Sequence, residues 1–265
     1  RERKARLLER VGEHREALAL CQTIEVEPWC EDERDAAQRI GSRLLRKLEG
    51  TKIVRSRDSF VEAELVLSRS ELGVEKQVAR ALSCDWQGVH YVENRLMNAL
   101  FGLAFWQQIF APVAGAFNNR FQSVPADMYE QTFRSSRQEL IDERLLELEG
   151  LDLAEELPRC WRLYHDYQCR WISWKYLNEP LVAAASSVIP KNDLVAIWRR
   201  MLFDPRENRR GFPDLLALGT EPGDYQMIEV KGPGDALQDS QKRWLRFFQQ
   251  EDIPASIVWV RWADA

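Results

Sequence analysis

Apolar residues recur every three or four positions along the first 49 residues of the chain. This period predicts amphipathic helices. Gly12 interrupts the first apolar run, so the pattern predicts a helical hairpin, followed by another helix over residues 31–48. The pattern is weakly similar to a tetratricopeptide repeat, but a single unit is poor evidence for an array of repeats. A short apolar stretch, "FVEAELVLSR", follows the helices and precedes a more hydrophobic part of the chain.

The segment "YVENRLMNALFGLAFWQQIF" predicts a buried helix over residues 91–110 that ends before Pro112. Glu93 lies in its first turn, and the residues on the same helical face are apolar. We therefore expect the Glu93 carboxylate to project over the core rather than into solvent. Periodicity leaves two roles open for Glu93, which are a functional acid and a charge that complements the helix dipole.

Three further helical regions are predicted over residues 126–148, 152–178 and 193–202, the second of them in two pieces. The region 152–178 is rich in aromatic residues, which are Trp161, Tyr164, Tyr167, Trp171, Trp174 and Tyr176. Such rings either stack on nucleic-acid bases or pack between helices. We favour helix packing for this region.

The last 55 residues change character. Strands are predicted over residues 213–218, 225–231 and 256–262, with a helix over 238–250 between the second and third strands. A hairpin followed by a helix and a returning strand makes a mixed sheet with a crossover. The predicted fold is α+β and mostly helical, with a helical, repeat-like, DNA-binding region over 1–80 and an α/β domain over 81–265 whose core strands occupy 213–262.

Composition excludes few functions. The chain has 265 residues and a formal net charge of −5, which argues against a general coat of positive charge. Local basic patches decide contact with nucleic acid. Residues 38–57 carry seven basic side chains, which are Arg39, Arg43, Arg46, Lys47, Lys52, Arg55 and Arg57. A second patch, "RRMLFDPRENRR", includes Arg206, Arg209 and Arg210. The alternative for either patch is a solvated surface.

Five dispersed cysteines without metal-ligand spacing indicate reduced thiols and an intracellular setting. No segment is apolar and long enough to predict a membrane span, so we expect no membrane partner.

Two acids and a lysine stand in the predicted hairpin. Glu229 and Lys231 are two residues apart and therefore face the same side of a strand, and Asp214 on the paired strand can reach that side. Two close carboxylates repel each other unless a cation lies between them, and Mg²⁺ and Mn²⁺ prefer oxygen ligands. The set therefore suits metal-assisted phosphodiester hydrolysis. By spacing alone a surface hairpin is the better explanation, but Pro213 before Asp214, the apolar neighbours and the turn "VKGPGD" favour a functional site.

These residues carry a resemblance. "RRGFPDL…IEVKGPGDALQDSQKRWL" resembles the VRR-NUC module of the PD-(D/E)XK nuclease superfamily. "VHYVENRLMNALFGLAFWQQIFAPVAGAFNNRFQSVPADM" resembles the preceding segment of the Fanconi-associated nuclease family. The resemblance covers most of residues 60–262 and implies a restriction-endonuclease-like core. It also implies 5′-flap endonuclease and 5′-to-3′ exonuclease action in the repair of DNA interstrand crosslinks.

The resemblance assigns roles to single residues. Asp214, Glu229 and Lys231 match the catalytic positions, and Glu93 matches a glutamate that serves the family as a further metal ligand. Together with the carbonyl of Val230, the three acids are expected to hold one or two Mg²⁺ or Mn²⁺ ions. Gln241 matches a family glutamine near the active site and is assigned to the DNA-contacting set. Some relatives have basic residues where this chain has Ala236 and Ser240, which puts a charged 5′-phosphate pocket in doubt.

The expected partners are branched or flapped DNA and other repair proteins, in a bacterial cytoplasm or nucleoid, or in a nucleus if the source is eukaryotic. Two alternatives stay open. One is a junction resolvase or another PD-(D/E)XK nuclease. The other is a helical protein-interaction scaffold with an inert nuclease module.

Overall fold

A computed structural model of the chain describes residues 1–50 and 58–263. The chain divides into two compact units, Arg1–Asp58 and Ser59–Ala265. Three residues of the predicted basic patch, Lys52, Arg55 and Arg57, lie outside the described residues.

The first unit is built of three helices, α1 (Glu2–Val11), α2 (His14–Val26) and α3 (Glu31–Glu49). Gly12 ends α1 in the left-handed conformation at φ 94°, which confirms the predicted break. The apolar stripes of the helices pack on each other around buried Ala17, Ile24 and Leu44.

The second unit contains a mixed five-stranded sheet. Its strands are β1 (Glu62–Leu67), β2 (Gly88–Tyr91), β3 (Leu215–Leu218), β4 (Tyr225–Lys231) and β5 (Ala255–Trp262), in the order β1-β5-β4-β3-β2. The pairs β2–β3 and β3–β4 are antiparallel, whereas β4–β5 and β1–β5 are parallel. The predicted hairpin and crossover are therefore confirmed, and β1 and β2 extend the sheet on both sides.

The boundary between the units differs from the predicted one at residue 80. The stretch read only as apolar forms β1, whose Glu62 pairs with Ile257 of β5. Helix α4 (Val74–Leu82) follows and contributes the buried Val78 to one face of the sheet. Backbone pairing with the distant strand β5 thus places residues 59–80 in the second unit.

The helices after β2 cover the other face. They are α5 (Glu93–Ala104), α6 (Trp106–Ile109), α7 (Thr132–Ser135), α8 (Gln138–Gly150), α9 (Leu153–Tyr164), α10 (Glu179–Val188), α11 (Lys191–Phe203) and α12 (Asp239–Gln250). The helix predicted over 91–110 is in fact strand β2 up to Tyr91 and two helices that meet at Phe105. The helix predicted over 126–148 is in fact two helices, the short α7 and then α8. In 152–178 only α9 is helical, whereas α10 was not predicted and begins with Pro180 in its first turn.

Side chains of the central strands alternate between two cores. Leu216 and Met227 belong to the helical core, and Leu215 and Ile228 belong to the core beneath α4. The predicted packing role of the aromatic region holds for Trp171, which is buried in the helical core. Central strands buried on both faces are typical of a sheet covered by helices on each side.

All five cysteines are free thiols. Among the residues described, no helix combines the length and the apolar character that crossing a bilayer requires.

Candidate active site

Alternation along the strands brings the three predicted catalytic side chains to one face. Asp214 immediately precedes β3, and Glu229 and Lys231 lie at the end of β4. Positions two apart on a strand share a face, so all three residues lie on the face of Leu216 and Met227. This is the face that α5 and α12 cover, because both helices contribute residues to the same core.

A hydrogen bond to the backbone and an ion pair fix the three side chains at the end of β4. Asp214 Oδ2 accepts a hydrogen bond of 2.9 Å from the backbone N–H of Val230. The Lys231 Nζ lies 2.8 Å from Glu229 Oε1, and the two side chains are only 9% and 1% exposed. The cluster is therefore a buried group of opposite charges at the end of the central strand.

Gln241 joins the same cluster from the start of α12. Its Nε2 donates to Glu229 Oε1 at 2.5 Å, and its Oε1 accepts from Lys231 Nζ at 3.0 Å. The same oxygen accepts from the backbone N–H of Gln238, in a reciprocal capping box that begins the helix. Gln241 therefore lies among the predicted catalytic residues, and its amide is orientated by the helix cap.

Both carboxyl groups have raised pKa values. Burial raises the pKa of Asp214 to about 6, although the N–H of Val230 opposes the shift. Burial and the neighbouring Asp214 raise the pKa of Glu229 to about 7, against the effect of Lys231. Two carboxylates this close destabilise each other in the ionised form, and a bound cation would relieve that repulsion.

Glu93 is less buried than expected. Its side chain is 43% exposed, so the predicted position over the core is wrong. The residue opens α5 with φ 44°, and the carbonyl of Asp214 accepts from the N–H groups of Val92 and Glu93 at 2.9 Å each. The Tyr91 hydroxyl lies 3.4 Å from Glu93 Oε2. Positive φ is costly for a glutamate and marks a position that its surroundings constrain.

The donor set fits a divalent cation. Glu229 Oε2 is buried and has no hydrogen-bond partner, which leaves one carboxylate oxygen available. The nearby acceptors are carboxylate oxygens, which hard divalent cations prefer. Within residues 1–50 and 58–263, however, no three His, Cys, Asp or Glu side chains converge as a metal-binding group. The three predicted acids therefore do not form a complete metal-binding group in this structure, although Glu93 and Asp214 line the same cavity.

A cavity of about 470 Å³ opens beside the cluster, with Glu93 and Asp214 in its wall. Arg210 and Arg243 line it as well. Sequence reasoning missed Arg243, which lies on α12 two residues after Gln241; no local pattern distinguishes it from other charges on that helix. The cavity combines acids with arginines, as a phosphodiester site requires.

The second basic patch is only partly available to a ligand. Arg210 is exposed at the cavity, and Arg206 is exposed with its guanidinium 3.9 Å from Glu130. Arg209 is half-buried, and its guanidinium lies over the ring of Tyr129 at 4.6 Å. Arg209 therefore packs against protein, unlike its two neighbours.

The first basic patch lies on α3 of the helical unit. Arg39, Arg43, Arg46 and Lys47 are exposed, and their spacing places them on one face of the helix. Arg43 forms a two-pronged pair with Glu9 at 3.1 and 2.7 Å.

The fold and the site together define a class of protein. The mixed sheet with an Asp at the start of one central strand and Glu-x-Lys at the end of the next is the core of a PD-(D/E)XK nuclease. Residues 151–262 match the VRR-NUC domain family. A "Fanconi-associated nuclease 1 homolog" from Pseudomonas aeruginosa is 36% identical over 98% of this chain and 47% of its own length. The chain belongs to the Fanconi-associated nuclease family.

Another relative and a solved structure also match this family. The Fanconi-associated nuclease 1 homolog of Caenorhabditis elegans is 34% identical over 65% of this chain and 21% of its own length. The crystal structure of paFAN1 bound to DNA with a 2-nt 5′ flap and a gap superposes with a TM-score of 0.81, at 37% identity over 98% of this chain and 48% of that one. The chain thus spans about half the length of the bacterial relative.

Proposed function

We propose that the chain forms the catalytic part of a structure-specific DNA nuclease. The reaction is hydrolysis of phosphodiester bonds, as a 5′-flap endonuclease and 5′-to-3′ exonuclease in interstrand crosslink repair. The observation that carries this proposal is the buried cluster of Asp214, Glu229, Lys231 and Gln241 beside a cavity lined by acids and two arginines. Relatives named as Fanconi-associated nucleases, one of them solved with 5′-flap DNA, support it.

Asp214, Glu229, the carbonyl of Val230 and Glu93 are the residues that would hold one or two divalent ions. Mg²⁺ or Mn²⁺, when bound, supplies charge neutralisation at the phosphate and a water of lowered pKa. The family generally depends on divalent metals. A bound cation would pair with Glu229 Oε2, which has no hydrogen-bond partner. It would also stabilise the ionised form of Asp214 and Glu229, whose pKa values are raised without it.

Lys231 orientates the attacking water or stabilises charge that develops on the phosphate. Its ammonium is placed for this role by two acceptors, Glu229 Oε1 at 2.8 Å and Gln241 Oε1 at 3.0 Å. Gln241 in turn keeps Glu229 in position through its own N–H group. Gln241 is therefore a positioning residue in this proposal.

The DNA partner is a branched or flapped duplex. Arg206 and Arg210 contact phosphates near the cut, and the exposed face of α3 that carries Arg39 and Arg46 contacts duplex through its charge. Shape at the branch selects the site, since phosphate contacts alone carry no sequence information. Repair proteins are further partners, and the setting is a bacterial cytoplasm or nucleoid, or a nucleus in a eukaryote.

Cleavage of a labelled DNA panel tests this proposal. With Mg²⁺ or Mn²⁺ the protein should cut 5′-flap DNA in preference to a four-way junction or single strands. Asp214→Ala and Lys231→Ala should lower the cleavage rate by about a hundred-fold or more. Flap affinity, measured with EDTA present, should persist in both variants.

Lys76→Ala is the matched control, because Lys76 is an exposed lysine on α4, next to the other face of the sheet. It should cleave like the unaltered protein. Normal cleavage by Asp214→Ala or Lys231→Ala would refute the site. A preference for the four-way junction would identify a resolvase, and no cleavage of any DNA would identify an inert module.

A further inference from the structure

A second cavity, of about 740 Å³, opens where α6 meets two loops of the same unit. Its wall is aromatic. Trp106 stacks on Tyr164 with ring centroids 4.3 Å apart and planes only 8° from parallel. Phe110 stacks on Phe117 at 5.9 Å. Both Trp106 and Phe110 face the cavity and are only partly buried at the edge of the helical core.

Two aromatic side chains at the rim are exposed to solvent. Phe121 is 71% exposed and Tyr167 is 65% exposed. The Arg120 guanidinium lies 5.0 Å from the centre of the Phe121 ring. Exposed large aromatic residues grouped at one opening are typical of a binding surface. None of these residues takes part in the candidate active site.

The loops that form the rim are ordered by their own hydrogen bonds. The Gln122 side chain accepts from the backbone N–H groups of Asn118 and Asn119 at 2.5 and 3.2 Å. The backbone N–H of Arg170 donates to the carbonyl of Ser123 at 3.0 Å, which ties one loop to the other. The cavity is therefore formed before any ligand arrives, and binding costs little ordering of the protein.

The chemistry of the lining matches a nucleobase. Aromatic faces offer stacking, and the side-chain amides of Asn118, Asn119 and Gln168 offer both donors and acceptors for the edge of a base. The charge of Arg120 is balanced by that of Asp166, so the lining lacks the excess of positive charge that is typical of a site for several phosphates. A ring with polar edges fits this combination better than a phosphate or a purely apolar side chain.

We infer that this cavity binds an unpaired base of a single-stranded DNA arm. The inference rests on the proposed function, because the arm is the flap of the nuclease substrate. The twelve-residue helix α5 separates Glu93 from α6. At 1.5 Å per residue the cavity lies about 18 Å along that helix from the candidate active site. The bound base therefore belongs to the arm and not to the nucleotides at the cut.

Equilibrium binding in EDTA tests the inference without any cleavage. The probes are a duplex with a single-stranded arm of thymidines, the same duplex with an arm of abasic sites, and the duplex without an arm. The unaltered protein should bind the thymidine arm about five-fold more tightly than the abasic arm, the effect of one stacked base. Phe121→Ala and Tyr167→Ala should remove that difference.

Two further variants make the result specific. Phe121→Trp keeps a stacking face and should retain the preference, whereas Phe121→Leu keeps apolar bulk without a ring and should lose it. Leu146→Ala alters an exposed residue on α8, at 68% exposure, and should change nothing. If the cavity instead accepts a side chain of another protein, the thymidine and abasic arms should bind equally well. That result would overturn the inference.

Photocrosslinking locates the base. Arms that carry 5-iodouracil should crosslink to the peptides that contain Phe121 or Tyr167; crosslinks confined to other segments would overturn the inference. The two proposals fail separately. Base-dependent binding without cleavage would contradict the nuclease function alone, and cleavage without base-dependent binding would contradict this pocket alone.

Discussion

Glu229 is 1% exposed, and one of its two carboxylate oxygens has no hydrogen-bond partner. Burial and Asp214 raise its pKa from 4.5 to about 7. A group whose folded-state pKa is raised contributes stability that is fully present below the unfolded pKa and is lost as the pH rises through the folded pKa. Without metal, the site therefore destabilises the folded protein progressively between about pH 4.5 and pH 7.

Glu229→Gln should abolish the loss of stability that ionisation of Glu229 causes as the pH rises. We expect the metal-free variant to lose less thermal stability than the unaltered protein as the pH rises from about 5 to 8, because the amide does not ionise. Mn²⁺ should raise the unfolding temperature of the unaltered protein at neutral pH and leave that of the variant unchanged. Thermal unfolding measures both. Glu155→Gln, at an exposed carboxylate of α9, is the control, and parallel pH curves for all three proteins would contradict the prediction.

Gln241 also acts at the scale of one residue, through Glu229 and Lys231. Gln241→Ala should lower the cleavage rate about 10- to 100-fold and raise the metal concentration that gives half-maximal activity, as loss of a group that orientates a ligand does. DNA affinity in EDTA should not change. Gln249→Ala, at an exposed residue of the same helix, should leave the metal dependence unaltered. A lower rate with no change in metal dependence would mean a purely structural role.

At the scale of elements, the turn before β3 and the start of α12 lie against each other. Gly211 has φ 84°, and a Cβ there would come within 2.6 Å of the Ser240 backbone. Trp244 of α12 donates its Nε1–H to the carbonyl of Arg210 at 2.9 Å, which fixes the same contact. Because Gln241 follows Ser240, the turn sets where the amide of Gln241 meets Glu229 and Lys231.

Gly211→Ala should therefore affect both stability and catalysis. A left-handed backbone costs an alanine about 1 kcal/mol, and the contact with Ser240 adds to that cost and shifts the start of α12. Gly223→Ala is the matched control, since Gly223 has φ 89° and open space around its Cβ. It should lose stability only through its backbone and keep full cleavage. Urea unfolding and flap cleavage measure the two effects; equal losses in both variants would contradict the argument.

At the scale of the whole molecule, the chain has a net charge of −5, so contact with DNA depends on where its basic residues lie. The helical unit presents Arg39 and Arg46 on the exposed face of α3, whereas Arg43 on that face is paired with Glu9. The second unit carries the candidate active site. Mutations on α3 are therefore expected to change affinity for duplex and to leave the chemical step, which belongs to the second unit, unaltered.

The double variant Arg39→Ala, Arg46→Ala should weaken flap binding without changing the rate of cleavage at saturating protein. Each phosphate contact contributes about 0.9 to the slope of log affinity against log salt, so losing two contacts should make the slope shallower by about 2. Binding titrations over a range of salt concentrations measure it. Arg15→Ala, at an exposed position of α2, is the control. An unchanged slope would remove α3 from the DNA-binding surface.

Local pattern determined much of this protein. The 3.6-residue period predicts α1 to α3, α11 and α12, and the alternation and β-branched residues of the last 55 residues predict β3, β4 and β5. Two carboxylates and a lysine in an apolar hairpin predict the candidate catalytic cluster, whose three residues the structure places on one face of the sheet. These features succeed because neighbouring residues alone decide which face of a helix or strand a side chain occupies.

Only the tertiary structure decided the rest. Strand β1 depends on pairing with β5, so Glu62 finds its partner at Ile257, far along the chain. The exposure of Glu93 follows from the hydrogen bonds that Asp214 accepts where α5 begins. The bridge from Gln241 to Glu229 and Lys231 needs α12 to cross the end of β4. Backbone pairing and buried charge depend on which segments meet in space, and no local period in a sequence carries that information.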